Sequence, residues 1–390
     1  MFTPPGPSLS GLPSPDEAAR EHAARVYQHI CQRIDAAGGW IPFAVFMDLA
    51  LYAPGLGYYV AGSRKFGSAG DFVTAPEMTP LFGHALAHQV AQILELTDGD
   101  ILELGAGSGV LAVDVLKELD RLGLTPARYR IVEPSPELAQ RQKRRIEGSL
   151  PAMIERIEWS DELPDQFNGA VIANEVLDAL PVHILVWRDD GAFERGVAVR
   201  DGELVWQERP ASPALYAASE HLEVVAPYVS EISPATAALV DNLARRLDRG
   251  AVLLIDYGFP RAEYYHPQRS GGTLMCHYRH HVHDDPFFLP GLQDITSHVD
   301  FTAVAEAGTG AGCALAGFAS LARFLLNCGI TELLARQRPE DLAAYLPQAT
   351  VVQKLLSPAE MGEMFKVLAL SRGIEARLLG FNSGDQIARL

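Results

Sequence analysis

The sequence predicts an α/β protein: a Rossmann-like parallel sheet with helices on both faces, a β-meander inserted into it, and helical additions at both ends. Three observations carry that expectation. Short apolar runs alternate with stretches of helical period between residues 101 and 173. One of those runs, 101–104, opens into Gly105, Gly107 and Gly109 and then into the helical stretch 110–122, so it reads as strand, glycine turn, helix. After Pro181 the pattern changes to short alternating runs broken by Asp190-Gly191 and Asp201-Gly202, which are hairpin signals.

Residues 1–15 are rich in Pro, Ser and Gly and read as a flexible tail. From 16 to 36 the spacing of Ala, Val26, Ile30 and Ile34 gives an amphipathic helix that Gly38-Gly39 ends, and 43–51 is similar. Residues 52–80 are dense in Gly, Pro and aromatics, hence a long loop that packing must hold down. A helix over 81–96 leads into the core, which alternates strand 101–104, helix 110–122, strand 129–132, helix 137–146, strand 157–159 and strand 170–173. In such a sheet a ligand lies beyond the carboxyl ends of the strands, where Glu133, Asn174 and Asp256 fall.

The meander covers 183–187, 192–199 and 203–206. A helix over 234–247 and a buried strand over 251–255 return the chain to the core. A Pro-, His- and Gly-rich excursion, 259–300, precedes an Ala-rich region and helices over 321–326, 340–345 and 358–370. The expected organisation is a tail (1–15), a helical and loop region covering the cofactor site (16–96), an α/β core (97–320) with insertions at about 182–233 and 257–300, and a C-terminal helical region with a final strand (321–390).

With 390 residues and 48% hydrophobic content, the chain can bury a substantial core. A formal charge of −17 argues against a broad nucleic-acid footprint, which needs surplus Lys and Arg. The basic cluster Arg141, Lys143, Arg144 and Arg145 falls on an expected helix and reads as a solvated face. Cys31, Cys276, Cys313 and Cys328 are far apart, with neither a disulfide framework nor a zinc knuckle indicated. No signal core or transit pattern is visible at the N-terminus. The apolar stretch 311–322 is too short for the roughly 20 residues of a membrane span. A soluble, cytoplasmic protein is the expectation, with its oligomeric state left open.

The glycine turn has the spacing G-x-G-x-G. A dinucleotide fingerprint would need a sixth-position glycine where Val110 stands, so a pyrophosphate cradle is disfavoured. Glu103 stands just before the glycines and Glu133 closes the next strand. Two acids suit a cationic amino acid moiety and a ribose diol better than a phosphate, and S-adenosyl-L-methionine (SAM) carries both. The amides of Gly105, Ala106, Gly107 and Gly109 would approach the methionine portion, while Glu133, followed by Pro134, would accept the ribose hydroxyls. Asp161, after the third strand, would meet the adenine amino group or cap a helix.

Four segments taken in order, Asp71-Phe-Val-Thr-Ala-Pro-Glu77, Glu103-Leu-Gly-Ala-Gly-Ser-Gly109, Ala173-Asn-Glu-Val-Leu-Asp-Ala-Leu-Pro181 and Asp294-Ile-Thr-Ser-His-Val-Asp300, resemble the MidA family. The likeness runs from about Ile41 to Leu368. It implies a class I SAM-dependent methyltransferase. The family includes a mitochondrial complex I assembly factor that dimethylates an arginine of a core subunit, besides bacterial members of uncertain substrate. By that resemblance Thr74, Pro76 and Glu77 belong to a segment that covers the cofactor, with simple packing as the alternative. The chain carries Ala106, Ser108 and Val110 where Pro, Arg and Thr are frequent in the family.

Asn174 opens the segment that holds the acceptor-side candidates Glu175 and Asp178, and is itself assigned to the cofactor. Val176 and Leu177 replace the Pro-aromatic pair of amide- and base-directed methyltransferases, which disfavours DNA-base methylation. On a helical first turn Glu175 and Asp178 would share a face and could grip one guanidinium. Helix capping by Asn174 and dipole pairing by Glu175 is the bland alternative. By analogy with the His-containing loop of protein arginine methyltransferases, His298 would take or relay the departing proton and Asp300 would fix its tautomer, against a loop-stapling role.

The cluster Cys276, His277, His280, His281, His283, Asp284 and Asp285 lacks a recognised ligand spacing. Pocket lining is expected there, and no metal. The leading expectation is therefore a protein arginine N-methyltransferase whose partner is a protein with an accessible arginine, such as a respiratory subunit. A small-molecule methyltransferase and a non-catalytic assembly factor that uses the fold as a binding module stay open.

Overall fold

A computed structural model describes residues 11–61, 74–336 and 342–390 of the chain. The chain divides into two compact units, one of 1–72, 178–236 and 262–298, the other of 73–177, 237–261 and 299–390.

The larger unit holds the α/β core. Its strands are β1 (Asp100–Leu104), β2 (Tyr129–Val132), β3 (Ile157–Ser160), β4 (Phe167–Asn174), β5 (Leu247–Phe259), β6 (Val299–Asp300), β7 (Ala314–Ser320) and β8 (Phe365–Arg372). They are ordered β7-β8-β5-β4-β1-β2-β3, with β6 alongside β5. The pairs from β5 to β3 are parallel, and β8 runs antiparallel to both its neighbours. The order reverses between β1 and β4, which puts the switch point of the sheet where Leu104 pairs with Ala173.

Helices α1 (Pro80–Thr97), α2 (Val110–Arg121) and α3 (Pro136–Ser149) connect or flank these strands. Leu86, Val90 and Ile93 of α1 and Ala112, Val115 and Leu119 of α2 are fully buried in one cluster with Ile101, Ile131, Ile172 and Leu253. Each buried Val, Leu or Ile among them contributes about 1.5–3 kcal/mol. Thr79 caps α1 through its hydroxyl to Leu81 N, and Pro80 at the first position has no N–H to lose.

The helix expected over 358–370 is corrected: only Met361–Met364 is helical, and β8 follows at once. Val367, Leu368, Ala369 and Leu370 are all buried, so the run has no polar face whose period would separate helix from strand. Pairing decides it, because β8 fills the gap between β5 and β7. The Ala-rich stretch contains β7, and among the described residues no helix is long and apolar enough to cross a membrane. The helix expected at 340–345 is Leu342–Leu356, residues 340 and 341 lying outside the described residues, as do 1–10 of the expected tail.

The smaller unit begins with the helix Glu17–Ala36, capped by Asp16 onto Ala19 N at 2.8 Å, and the helix Phe43–Tyr52. The meander is as expected: His183–Arg188, Gly191–Arg200 and Glu203–Pro210 pair antiparallel in sequence. Ile41–Pro42 and Tyr228–Ile232 complete a five-stranded sheet. Val26, Ile30 and Ile34, four apart on the first helix, pack with Phe43, Phe46, Ile184 and Val197. The His-rich excursion folds as a second, three-stranded sheet of Met275–Tyr278, His281–His283 and Asp294–Thr296.

Candidate active site

The glycine turn leaves β1 at Leu104. Gly105, Gly107 and Gly109 all take left-handed backbone, at φ 60°, 53° and 81°, which a side chain would strain. Gly105 N donates to Val132 O of β2, and Gly109 N to Ala106 O at 2.7 Å, closing the turn on itself before α2 starts. Space is also short: a Cβ on Gly105 would come within 3.2 Å of Val176, and one on Gly109 within 3.2 Å of Gln142. The short helix Ala75–Met78, with Thr74 at its N-cap and Pro76 buried, reaches the same turn, because the Ser108 hydroxyl donates to Glu77. Asp71, Phe72 and Val73 of that motif lie outside the described residues.

The acids fall at strand ends. Glu103, on β1, is 2% exposed and accepts a 2.8 Å bond from the Tyr129 hydroxyl of β2. Burial lifts its pKa to about 7, the Tyr129 bond pulling down and the Glu133 charge pushing up. Glu133 follows β2 with Pro134 behind it; its two oxygens accept from Ser135 N at 3.0 Å and from the Gln142 amide at 2.9 Å. Asp161 follows β3 on an exposed bend.

On the acceptor side the helical first turn is corrected. No helix follows β4: residues 175–178 form a bend, with Glu175 left-handed at φ 51°. Glu175 N donates to Ile255 O and Leu177 N to Asp256 Oδ2 at 2.9 Å, so the end of β5 satisfies the amides a helix would have used. Capping by Asn174 and dipole pairing by Glu175 fall with the helix. Asn174 instead donates to Glu175 Oε1 at 3.1 Å, and its Oδ1 is a buried acceptor with no partner among the described residues.

The smaller unit holds Asp178, 5% exposed, whose carbonyl accepts from Ser297 N at 3.0 Å. That bond puts the Asp178 and His298 segments side by side. His298 N donates to Thr273 Oγ1, which in turn donates to the buried Glu231. Burial, with Arg269 nearby, holds the His298 imidazole down at about 4. Asp300, in the larger unit, caps the helix Phe301–Gly310 through Thr302 N and Ala303 N and accepts from Arg261 Nε at 3.4 Å. Those bonds commit its carboxylate, and the tautomer-fixing role is withdrawn.

Three residues of this region are not given a site role by the sequence: Gln142, Tyr129 and Ser108, the last noted there only as a departure from the family's usual Arg. Gln142 had a visible signal, since Leu138, Gln142 and Ile146 recur every four residues on α3 and all are buried, which makes an amide on an apolar stripe conspicuous. Tyr129 and Ser108 had none, because their partners are far away in sequence. Among the described residues no group of three His, Cys, Asp or Glu side chains is arranged to hold a metal ion.

The arrangement fits SAM on two counts. Left-handed glycines present a bare backbone at the carboxyl ends of β1 and β4, and the unpartnered Asn174 oxygen calls for a donor in the same place. Bound there, SAM supplies an electrophilic sulfonium methyl.

Comparison with known proteins agrees. Residues 85–319 match a family model described as "Putative S-adenosyl-L-methionine-dependent methyltransferase". A crystal structure from Burkholderia thailandensis, bound to S-adenosyl-homocysteine, is 47% identical with a TM-score of 0.95, covering 97% of this chain and 100% of that one. Among curated relatives, "Protein arginine methyltransferase NDUFAF7, mitochondrial" of Danio rerio is 30% identical, over 88% of this chain and 86% of its own length. The Drosophila melanogaster homologue is 31% identical, over 87% and 83%. These relatives are mitochondrial, which overturns the cytoplasmic expectation; scattered cysteines do not tell one reducing compartment from another. The chain belongs to this family of SAM-dependent methyltransferases.

Proposed function

We propose that the methyl acceptor is an arginine side chain of a protein, with Glu175 as the residue that holds it. The observation that carries this is the placement of the Asn174–Val176 segment directly over Gly105, with two oxygen acceptors, Asn174 Oδ1 and the Glu175 carboxylate, at the end of β4. A guanidinium is all donor, with five N–H groups and no free lone pair, so it needs acceptors that fix its plane and draw charge away from the attacking nitrogen. Transfer is then an in-line displacement at a reactive distance of about 3 Å, and alignment with water exclusion supplies most of the rate. The names of the curated relatives support the same acceptor. Asp178 and His298, both in the smaller unit, are carried as further candidates, His298 being held in its neutral form by burial.

The test is transfer of labelled methyl from SAM into a bacterial lysate freed of small molecules, followed by hydrolysis of the labelled protein. Methylarginine is expected, lost with Glu175→Gln while calorimetric binding of S-adenosyl-homocysteine persists. Label confined to the small-molecule fraction of an untreated lysate, or full turnover by Glu175→Gln, would overturn the reading.

A further inference from the structure

Gln142 ties together three parts of the larger unit that are separate in sequence. Its Nε2 donates to Gly107 O at 3.1 Å and to Glu133 Oε2 at 2.9 Å, and its Oε1 accepts from Trp159 Nε1 at 3.0 Å. Both of its donors are therefore used on acceptors, and its oxygen on a donor. The amide has only one workable orientation, because flipping it would set a carbonyl against the Glu133 carboxylate and an NH2 against an indole N–H. The residue is fully buried on α3, and its Cα and Cβ would crowd a methyl on Gly109 at 3.2 and 3.3 Å.

We propose that Gln142 is a positioning residue for the methyl donor: it sets the Glu133 carboxylate at a fixed spacing from the Gly107 peptide, with Trp159 locking its rotamer. Sequence spacing alone leaves that distance undetermined, since the turn and the acid sit at the ends of different strands, β1 and β2. The last register pair of β1 and β2 is Leu104↔Val132, closed by Gly105 N on Val132 O, and beyond it Gln142 is a side chain that spans both ends. A diol and an amino acid moiety of one ligand must be met at the same time, and losing one of two linked contacts costs more than its own bond. The inference rests on Glu133 being the ribose acid, so the experiment separates the two claims.

The variants are Gln142→Met, which keeps shape and apolar burial, Gln142→Glu, which keeps shape but faces Glu133 with a second carboxylate, and Glu133→Gln. Calorimetry with S-adenosyl-homocysteine measures affinity, and Trp159 emission of the ligand-free chain, isolated by difference from Trp159→Phe, reports whether the indole bond is intact. Gln142→Met is expected to weaken binding about tenfold with a shifted Trp159 emission, and to lower Tm by a few degrees because the partners it leaves are buried. On the Glu133→Gln background it should weaken binding far less, because both act on one contact. Gln142→Glu should bind more weakly than Gln142→Met at pH 8. Unchanged affinity in Gln142→Met, or the same loss on both backgrounds, overturns the inference. Unchanged affinity in Glu133→Gln sinks the ribose reading of Glu133 and the inference with it.

Discussion

The Tyr129 hydroxyl donates 2.8 Å to the Glu103 carboxylate between two parallel strands, inside the sheet. Glu103 titrates at about 7, against an ordinary 4.5, because burial disfavours its charged form more than the Tyr129 bond favours it. The folded chain thus holds this proton more tightly than the unfolded one. Its contribution to stability is complete below about pH 4.5 and is lost as pH rises through 7, up to about 3 kcal/mol. Glu103→Gln should therefore flatten the decline in Tm of the ligand-free chain between pH 5 and pH 8, and Tyr129→Phe should push it to higher pH. A difference profile between Glu103→Gln and the unaltered chain with no slope in that window would refute this.

Glu175 occupies left-handed backbone that a non-glycine residue adopts at a cost of about 1–2 kcal/mol. Glu175→Gly should relieve part of that strain, raising Tm by a degree or two, while on the proposed role of Glu175 as acceptor anchor turnover falls about tenfold or more. The pairing of higher stability with lower activity is the signature. A stabilised variant with unimpaired turnover would mean that the strain has nothing to do with methyl transfer.

His298 is held neutral by burial, with the Arg269 charge adding to the effect, at about 4 against an ordinary 6.5. For a base whose folded pKa is depressed, stability is complete above about pH 6.5 and is lost as pH falls through 4. His298→Gln should remove that part of the acid loss, seen as a smaller fall in Tm from pH 7 to pH 5. Turnover should show no inflection near 6.5 that disappears with the variant. Such an inflection would place the imidazole in water.

Much of this is legible in the sequence. The alternation of strands and helices, the G-x-G-x-G turn and the Asp-Gly hairpins are local patterns, and local patterns are what a sequence displays. The segment after β4 was misread because Asn174-Glu175 has the composition of a helix start, whereas Ile255 and Asp256, about 80 residues on, take its amides. β8 was misread for a related reason: a run apolar on all sides has no period, and only its neighbours β5 and β7 decide its state. Asp300 looks catalytic beside His298 in sequence, yet N-capping the helix that starts at Phe301 is a role any Asp at that position can fill. What stayed hidden at the site, Gln142 with Trp159 and Tyr129 with Glu103, consists of bonds between side chains on different strands and helices.

Away from the site, Glu118 on α2 gathers two arginines and a histidine: Arg336 at 2.7 Å, Arg121 at 2.8 Å and His88 at 2.9 Å. Burial alone would raise its pKa, but the bonds from Arg121, Arg336 and His88 outweigh burial and hold it at about 2. It joins α1, α2 and the start of the C-terminal region, so its charge is the shared element of a network and not one surface pair. Both arginines are about half exposed and recover water when the acid is neutralised, which keeps the loss in Glu118→Gln to about 1–2 kcal/mol. Because the folded pKa is depressed, that contribution is present above about pH 4.5 and fades as pH falls through 2. Glu118→Gln should lower Tm at pH 7 and converge with the unaltered chain in acid. Arg336→Ala added to Glu118→Gln should cost much less than Arg336→Ala alone, and equal costs on the two backgrounds would mean that the two side chains are not coupled.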